Sequence, residues 1–408
     1  MREDLRKEIR DFAAAGVSEE PFAGTGNALW NNLKDLGTEL WLDTGDMEAA
    51  EAEWGPAFTA LTTNNTLLNK EVQKGIYDEL ITEAKKLVSD LPKADQIKEI
   101  GFILNARHGL RLARRFGARV SVELHTDLSH DLQGIVSYGE RFAEIEPDRF
   151  IVKVPLTPTG LIGARRLRDQ GIRVNFTLGF SARQNVFAAE IARPNYVNVF
   201  LGRLNAFVAD NELGSGENVG ERAALASQAA VASVSEGRGE GVRQIAASMR
   251  NGRQVASLAG MDVFTMPTKV ASEAREKLSP PLQSMREAEY PVSLYASVDP
   301  EEVRVERLWG VRAEEMQLAA ALGERPPARG EDIVAACEGA GITDLFPRMS
   351  DDEVGRIASD GKIPDFSAWR ERIREGSAAV DALMNLAGLA SFAADQRQLD
   401  ERIAGLLG

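Results

Sequence analysis

Short runs of alternating apolar and polar residues recur along the chain, separated by longer stretches with apolar residues at helical spacing. Eight runs read as strands: Glu39 to Asp43, Phe58 to Asn64, Arg119 to His125, Phe150 to Pro155, Ile172 to Phe180, Tyr196 to Leu201, Arg243 to Met249 and Asp262 to Pro267. Segments of helical composition lie between most of them, among them Glu71 to Leu91, His130 to Glu144, Gly160 to Gln170 and Val219 to Glu236. Strands alternating with helices make parallel βα units. Eight units in roughly 230 residues fit a closed (β/α)8 TIM barrel, usually about 250 residues, better than an open doubly wound sheet. No Gly-x-Gly-x-x-Gly follows the first strand, so a dinucleotide fold lacks its main support.

In a barrel the alternation sorts side chains into an outer, helix-facing set and an inner set. Phe150, Val152 and Val154 go outward and Lys153 inward; Val120, Val122 and Leu124 go outward, with Ser121, Glu123 and His125 inward. Asn175 and Thr177 are the inner pair of the fifth strand, Asn198 and Phe200 share the inner parity of the sixth, and Ser248 with Arg250 is expected inward on the seventh. After Pro267 the pattern stops and the chain becomes richer in proline and charge, with helix-like pieces at Asp332 to Gly339 and Ser350 to Ser359. The expected organisation is an N-terminal helical segment (1–38), a catalytic barrel (39–278), a helical insertion or small subdomain (279–376) and a C-terminal helix packing on the barrel (377–408).

Composition narrows the function classes. No stretch of the 408 residues approaches the roughly 18 unbroken apolar residues of a membrane span. The first residues, MREDLRKEIRDF, alternate charge where a secretory signal would be apolar, so a cytoplasmic location is expected. The formal charge of −14 has the wrong sign for nucleic acid, although a few placed arginines can still make a local pocket for a small anion. One cysteine and three histidines supply no zinc grid. His125 and His130, five residues apart, do not form a ligand motif, and Cys337 reads as a small buried hydrophobe.

Lys153 is the most informative residue, because an ammonium on the inner face of an apolar strand is costly to desolvate. That cost falls for a neutral amine, and a neutral buried amine is a nucleophile toward carbonyls. Asp43 and Glu123 sit inward on two other strands, where they either act as acid and base or pair with Lys153 or an arginine, as buried charges must. Pairing alone leaves Asn64, Asn175, Thr177 and Asn198 unexplained, and these amides and hydroxyls suit a polyhydroxylated ligand.

The segments LDTGD (42–46), LTTNNTLL (61–68), VSVELHTDLSHD (120–131), IVKVPLTPTGL (151–161), GIRVNFTLGFS (171–181), VFLGRL (199–204), ASMRN (247–251), LAGMDVFTMP (258–267) and FAADQRQLDERI (392–403) together resemble the transaldolase pattern, in the same order. The resemblance implies a class I aldolase-type barrel without metal or cofactor, and a place in the pentose phosphate pathway. Lys153 would form the Schiff base, Asp43 would serve the C4 hydroxyl, and Glu123 with Thr177 would handle the catalytic water. Asn64 and Asn175 would hold sugar hydroxyls, with Asn198 and Phe200 beside them; Arg203, Ser248 and Arg250 match phosphate-binding positions. The implied ligands are sugar phosphates, and a homodimer is left open. Two other readings stand beside transfer of a dihydroxyacetone unit: an aldolase of the same family that releases dihydroxyacetone, and a sugar-phosphate-binding barrel without turnover.

Three positions depart from the family pattern. Asn65 stands in place of a proline, His125 in place of an aspartate, and Asn198 in place of a serine. The longer Asn198 side chain is expected to crowd the donor's first carbons, so that serine there would raise activity on fructose 6-phosphate. The stretch from about 279 to 376 is longer than the family usually has.

Overall fold

In the computed structural model, which describes residues 2–408, eight parallel strands close into a barrel in sequence order. They are β1 (Glu39–Asp43), β2 (Phe58–Thr62), β3 (Arg119–Glu123), β4 (Phe150–Pro155), β5 (Val174–Thr177), β6 (Tyr196–Phe200), β7 (Arg243–Ala247) and β8 (Val263–Pro267). Closure comes from β8 lying beside β1, with Glu39 opposite Val263 and Asp43 opposite Pro267. The fold is thus a (β/α)8 barrel followed by a helical C-terminal region.

Side-chain parity divides the apolar residues into two sets. Phe150, Val152 and Val154 belong to the main core between strands and helices, whereas Trp41, Ala60, Ile151, Tyr196, Ile245, Ala247 and Val263 form a separate plug inside the barrel. Below the plug, Glu39 Oε1 accepts hydrogen bonds from Trp41 Nε1 (2.9 Å) and Thr59 Oγ1 (2.7 Å), and its carboxylate pairs with Arg119 and Arg243. The N-terminal mouth is therefore sealed by charge and aromatic bulk, and polar inner residues are left for the C-terminal mouth, where the ends of different strands converge.

Several strands stop before the alternation does. Asn64 leaves β2 to cap the helix Asn65–Gln73, its Oδ1 accepting from Leu67 N at 2.8 Å. Leu178 (φ 64°) and Ser248 (φ 62°) adopt left-handed backbone just past β5 and β7. Strands β5 and β6 meet at one register pair, Asn175 opposite Tyr196. Beyond it the Asn198 side chain joins the diverging strands, Nδ2 donating to Phe176 O (2.7 Å) and Oδ1 accepting from Gly179 N (3.0 Å).

The segment read as one helix over Glu71 to Leu91 is in fact interrupted: the helices Asn65–Gln73 and Asp78–Leu87 flank Gly75, whose φ of 81° suits glycine. The 24-residue helix Lys93–Phe116, absent from the pattern reading, ends on left-handed Gly117.

The C-terminal region includes the helices Ala313–Glu324, Gly330–Gly339, Asp351–Asp360 and Phe366–Glu375, and ends in the 28-residue helix Val380–Leu407. Cys337 is buried in the second of these, and burial pushes its thiol up to about 12. The terminal helix buries residues around much of its circumference because it lies between barrel loops and the other C-terminal helices. A fully buried charge cluster holds these parts together. Arg183, just after β5, donates to Asp381 Oδ2 and Oδ1 (both 2.8 Å), to Asp344 Oδ1 (2.7 Å) and O (3.3 Å), and to Glu315 Oε1 (3.2 Å). Arg307 pairs with Asp344 and Glu315 from the other side. No helix among the described residues is long and apolar enough to cross a membrane.

Candidate active site

At the C-terminal mouth a cavity of about 290 Å³ opens above the apolar plug. Asp43, Asn64, Lys153, Asn175, Asn198 and Phe200 line it, and Arg203, Ser248 and Arg250 complete one side. Glu123 and Thr177 are not on its wall. Glu123 lies in a neighbouring buried space with Asn65, Asn105 and Gln396, and Thr177, the last residue of β5, is buried. A larger cavity of about 420 Å³, between the barrel and the C-terminal helices, contains His130 and Arg348 but none of the inward strand acids or Lys153. The chemistry is therefore located by the strand ends and not by cavity size.

Lys153, at the centre of β4, is only 4% exposed. Its Nζ donates to Thr63 O at 3.2 Å and lies 3.9 Å from Glu123 Oε1. Glu123 Oε2 accepts from the backbone N–H of Asn65 at 3.0 Å, a donor that a proline at this position would lack. Burial raises the Glu123 carboxyl above its usual range, with Lys153 and the Asn65 N–H opposing. Asp43 is raised for the same leading reason, and Lys153 and a hydrogen bond from Thr62 Oγ1 (2.7 Å) hold it back. Thr62 Oγ1 also meets Thr265 Oγ1 at 2.6 Å. Two acids raised by burial thus stand beside one buried lysine, an environment typical of groups that exchange protons with a substrate.

Asn175 Nδ2 donates to Ser121 Oγ at 3.1 Å, while Asn175 Oδ1 and Thr177 Oγ1 have no protein partner among the described residues. Asn64 uses Oδ1 for its cap, so its amide N–H groups remain for a ligand. On the opposite wall Arg203 stacks on Phe200 (5.4 Å to the ring centroid) and on Phe392 of the terminal helix (5.6 Å). Burial and the like charge of Arg250 push Arg203 down to about 10, and Arg250 is also lowered by burial. Two guanidinium groups confined in this way favour an anionic occupant.

The placements of Ser248, Arg250 and His125 correct the sequence reading. Ser248 and Arg250 do not have the inner parity of β7, which belongs to Ile245 and Ala247; they reach the cavity because the left-handed backbone at Ser248 turns the chain beyond the strand end. A close approach at Gly202 helps, since a Cβ there would stand 2.2 Å from Ser248 O. Arg203 lies in the first turn of the helix Leu201–Asp210, past the end of β6. His125 does not point inward. Strand β3 ends at Glu123, and the His125 ring turns to the terminal helix, with Nε2 3.3 Å from an Asp400 carboxylate oxygen and Nδ1 accepting from Asp127 N at 3.2 Å. Among the described residues no group of three His, Cys, Asp or Glu side chains is placed to hold a metal ion.

Thr62 and Thr265 were missed although their inner parity on β2 and β8 was readable, because threonine in a strand reads first as β-propensity. Lys362 on the cavity wall had no local signal, and Phe392, although it opens the matched segment FAADQRQLDERI, had been given no role. Asn198 shows a use of its amide other than crowding the ligand, since both ends are bound to backbone. Asn198→Ser is therefore expected to appear first as lost stability, roughly 1 to 3 kcal/mol for stranded buried partners. Urea denaturation measures this, and a midpoint equal to that of the parent would show that the stitch is dispensable.

Comparison with known proteins agrees with this geometry. The family model described as Transaldolase/Fructose-6-phosphate aldolase matches residues 40–311. A Thermus thermophilus protein named "Probable transaldolase" is 33% identical over 236 residues, covering 57% of this chain and 88% of its own. The transaldolase of Cricetulus griseus is 32% identical over 260 residues, covering 60% of this chain and 75% of its own, and that of Protochlamydia amoebophila is 27% identical over 253 residues, covering 60% and 77%. The match takes in all eight strands nearly from end to end and with them Lys153, Asp43, Glu123 and the paired arginines, so the chain belongs to the transaldolase/fructose-6-phosphate aldolase family of enzymes.

Proposed function

We propose that the protein transfers a dihydroxyacetone unit from a ketose phosphate, such as fructose 6-phosphate or sedoheptulose 7-phosphate, to an aldose phosphate. The observation that carries the reading is one buried lysine between two acids of raised pKa, opening onto a cavity walled by two arginines. The Lys153 amine adds to the C2 carbonyl of the donor, and loss of water gives the iminium. Glu123, 3.9 Å from Nζ, relays protons for this dehydration and for the final hydrolysis, assisted by Thr177 at the end of β5. Asp43 takes the C4 hydroxyl proton; the C3–C4 bond breaks, its electron pair flows to the iminium, and an aldehyde leaves. The resulting enamine attacks the acceptor aldehyde through the same carbon, Asp43 returns the proton, and water releases the new ketose from Lys153. Asn64 and Asn175 hold the hydroxyls of the three-carbon unit, and Arg203 and Arg250 hold the phosphate.

Borohydride added with a ketose phosphate is expected to inactivate the protein and leave a reduced three-carbon adduct on Lys153, read by peptide mass spectrometry. An adduct on another lysine would refute the mechanism. Exchange with an added aldose phosphate then separates transfer from simple release of dihydroxyacetone.

A further inference from the structure

The C-terminal helical region reaches the cavity at one point. Between the helices Asp351–Asp360 and Phe366–Glu375, a short loop brings Lys362 to the cavity that Arg203 and Arg250 also line. The loop is built to stay there. Gly361 turns the chain at a φ of 80°, and Asp360 Oδ2 accepts from both Asp365 N (3.2 Å) and Trp369 Nε1 (3.4 Å), which ties the two ends together. Asn211 at the end of the helix Leu201–Asp210 grips the other side, Nδ2 donating to Pro364 O (3.0 Å) and Oδ1 accepting from Phe366 N (2.8 Å). Arg203 begins that same helix, so the element carrying one cation also anchors the loop carrying the other.

Lys362 itself is exposed and makes no ion pair among the described residues. The cavity wall then carries Lys153, Arg203, Arg250 and Lys362 against one acid, Asp43, in a chain whose formal charge is −14. A long lysine fixed at its base, unpaired, on a cavity that also holds two confined guanidinium groups adds to a local positive field where the rest of the protein is negative. We infer that Lys362 is a third cationic contact for the phosphate end of the sugar, which makes the C-terminal helical region part of the substrate-recognition surface. This rests on the phosphate reading of Arg203 and Arg250 given above. Because Lys362 approaches from the solvent side, it acts as a screened point charge and grades binding, while the arginines supply the directional hydrogen bonds.

The test uses the full chain and inorganic phosphate as a competitive inhibitor against a ketose phosphate, with Lys362→Ala, Lys362→Arg and Arg250→Ala beside the parent. In Lys362→Ala the inhibition constant for phosphate and the KM for the ketose phosphate are expected to rise together by roughly two- to fivefold, the range of an exposed charge contact, and the difference should shrink as salt is added. The KM for dihydroxyacetone as an unphosphorylated donor should not follow, and Lys362→Arg should restore most of the phosphate affinity. If Arg250→Ala weakens phosphate but Lys362→Ala leaves it unchanged, the role of Lys362 is refuted and the phosphate site stands. If neither variant weakens phosphate, the phosphate site is refuted along with it.

Discussion

Lys153→Met is expected to abolish turnover, by roughly 10,000-fold or more, while the protein stays folded and still binds sugar phosphate. The size follows from losing the covalent route: without an amine there is no iminium, and the C3–C4 bond has no electron sink. Methionine matches the length of the lysine stem, and the apolar neighbours Val152 and Val154 point away from the site into the helix-facing core, so packing changes little. Glu123 would lose the cation 3.9 Å away and be driven further toward its neutral form by burial, which avoids an unpaired buried charge. Circular dichroism checks the fold, a coupled assay the turnover, and borohydride the missing adduct. Turnover within a hundredfold of the parent, roughly the loss of a single general acid or base, would mean that another group carries the chemistry.

Arg183→Leu is expected to be the most destabilising single change outside the catalytic residues. Arg183 is completely buried, and its guanidinium joins Asp381 of the terminal helix to Asp344 and Glu315 of the other C-terminal helices and loops. Removing it leaves three buried carboxylates with only Arg307 and the half-buried Arg312 nearby, and breaking one such buried pair costs about 3 to 5 kcal/mol. Because the terminal helix also brings Phe392 to the cavity, activity should fall along with stability. The cluster carries a pH signature as well. Burial alone would raise Asp344 and Glu315, but Arg183 and hydrogen bonds hold both below the ordinary carboxylate range, in Glu315 with the Arg312 N–H leading. A depressed carboxylate contributes stability that is complete above its unfolded pKa, about 4, and is lost as pH falls through the lower folded value. The parent should therefore lose stability steeply below about pH 4, and Arg183→Leu should lose less over the same interval. Guanidinium denaturation at a series of pH values measures both, and parallel profiles would show that the cluster contributes no pH dependence.

The barrel was legible because its signal is local and repeated. Eight alternating runs each determine which side chains face the helices, and that parity correctly sent Lys153, Glu123, Asn175 and Thr177 to the inside from a few neighbours apiece. Parity failed where a strand ended. Ser248, Arg250 and His125 lie just past the last paired residues, where one left-handed residue or a cap redirects the chain, so that two of them reached the cavity from the wrong side of the pattern and the third left it. Asn198 could be placed on the inner face from sequence, but not the splay of β5 from β6 that engages its amide. Nothing in local sequence could show that Lys362 and Phe392, 95 and 125 residues beyond the end of β8, complete the cavity, or that Arg183 meets Glu315, Asp344 and Asp381. The chain by itself determined the barrel, its inner face and the lysine between two acids, since periodicity and the cost of burying charge act over a few residues. Only the tertiary structure decided how the C-terminal helices close that site, because their contacts depend on where distant segments come to rest and not on any pattern within them.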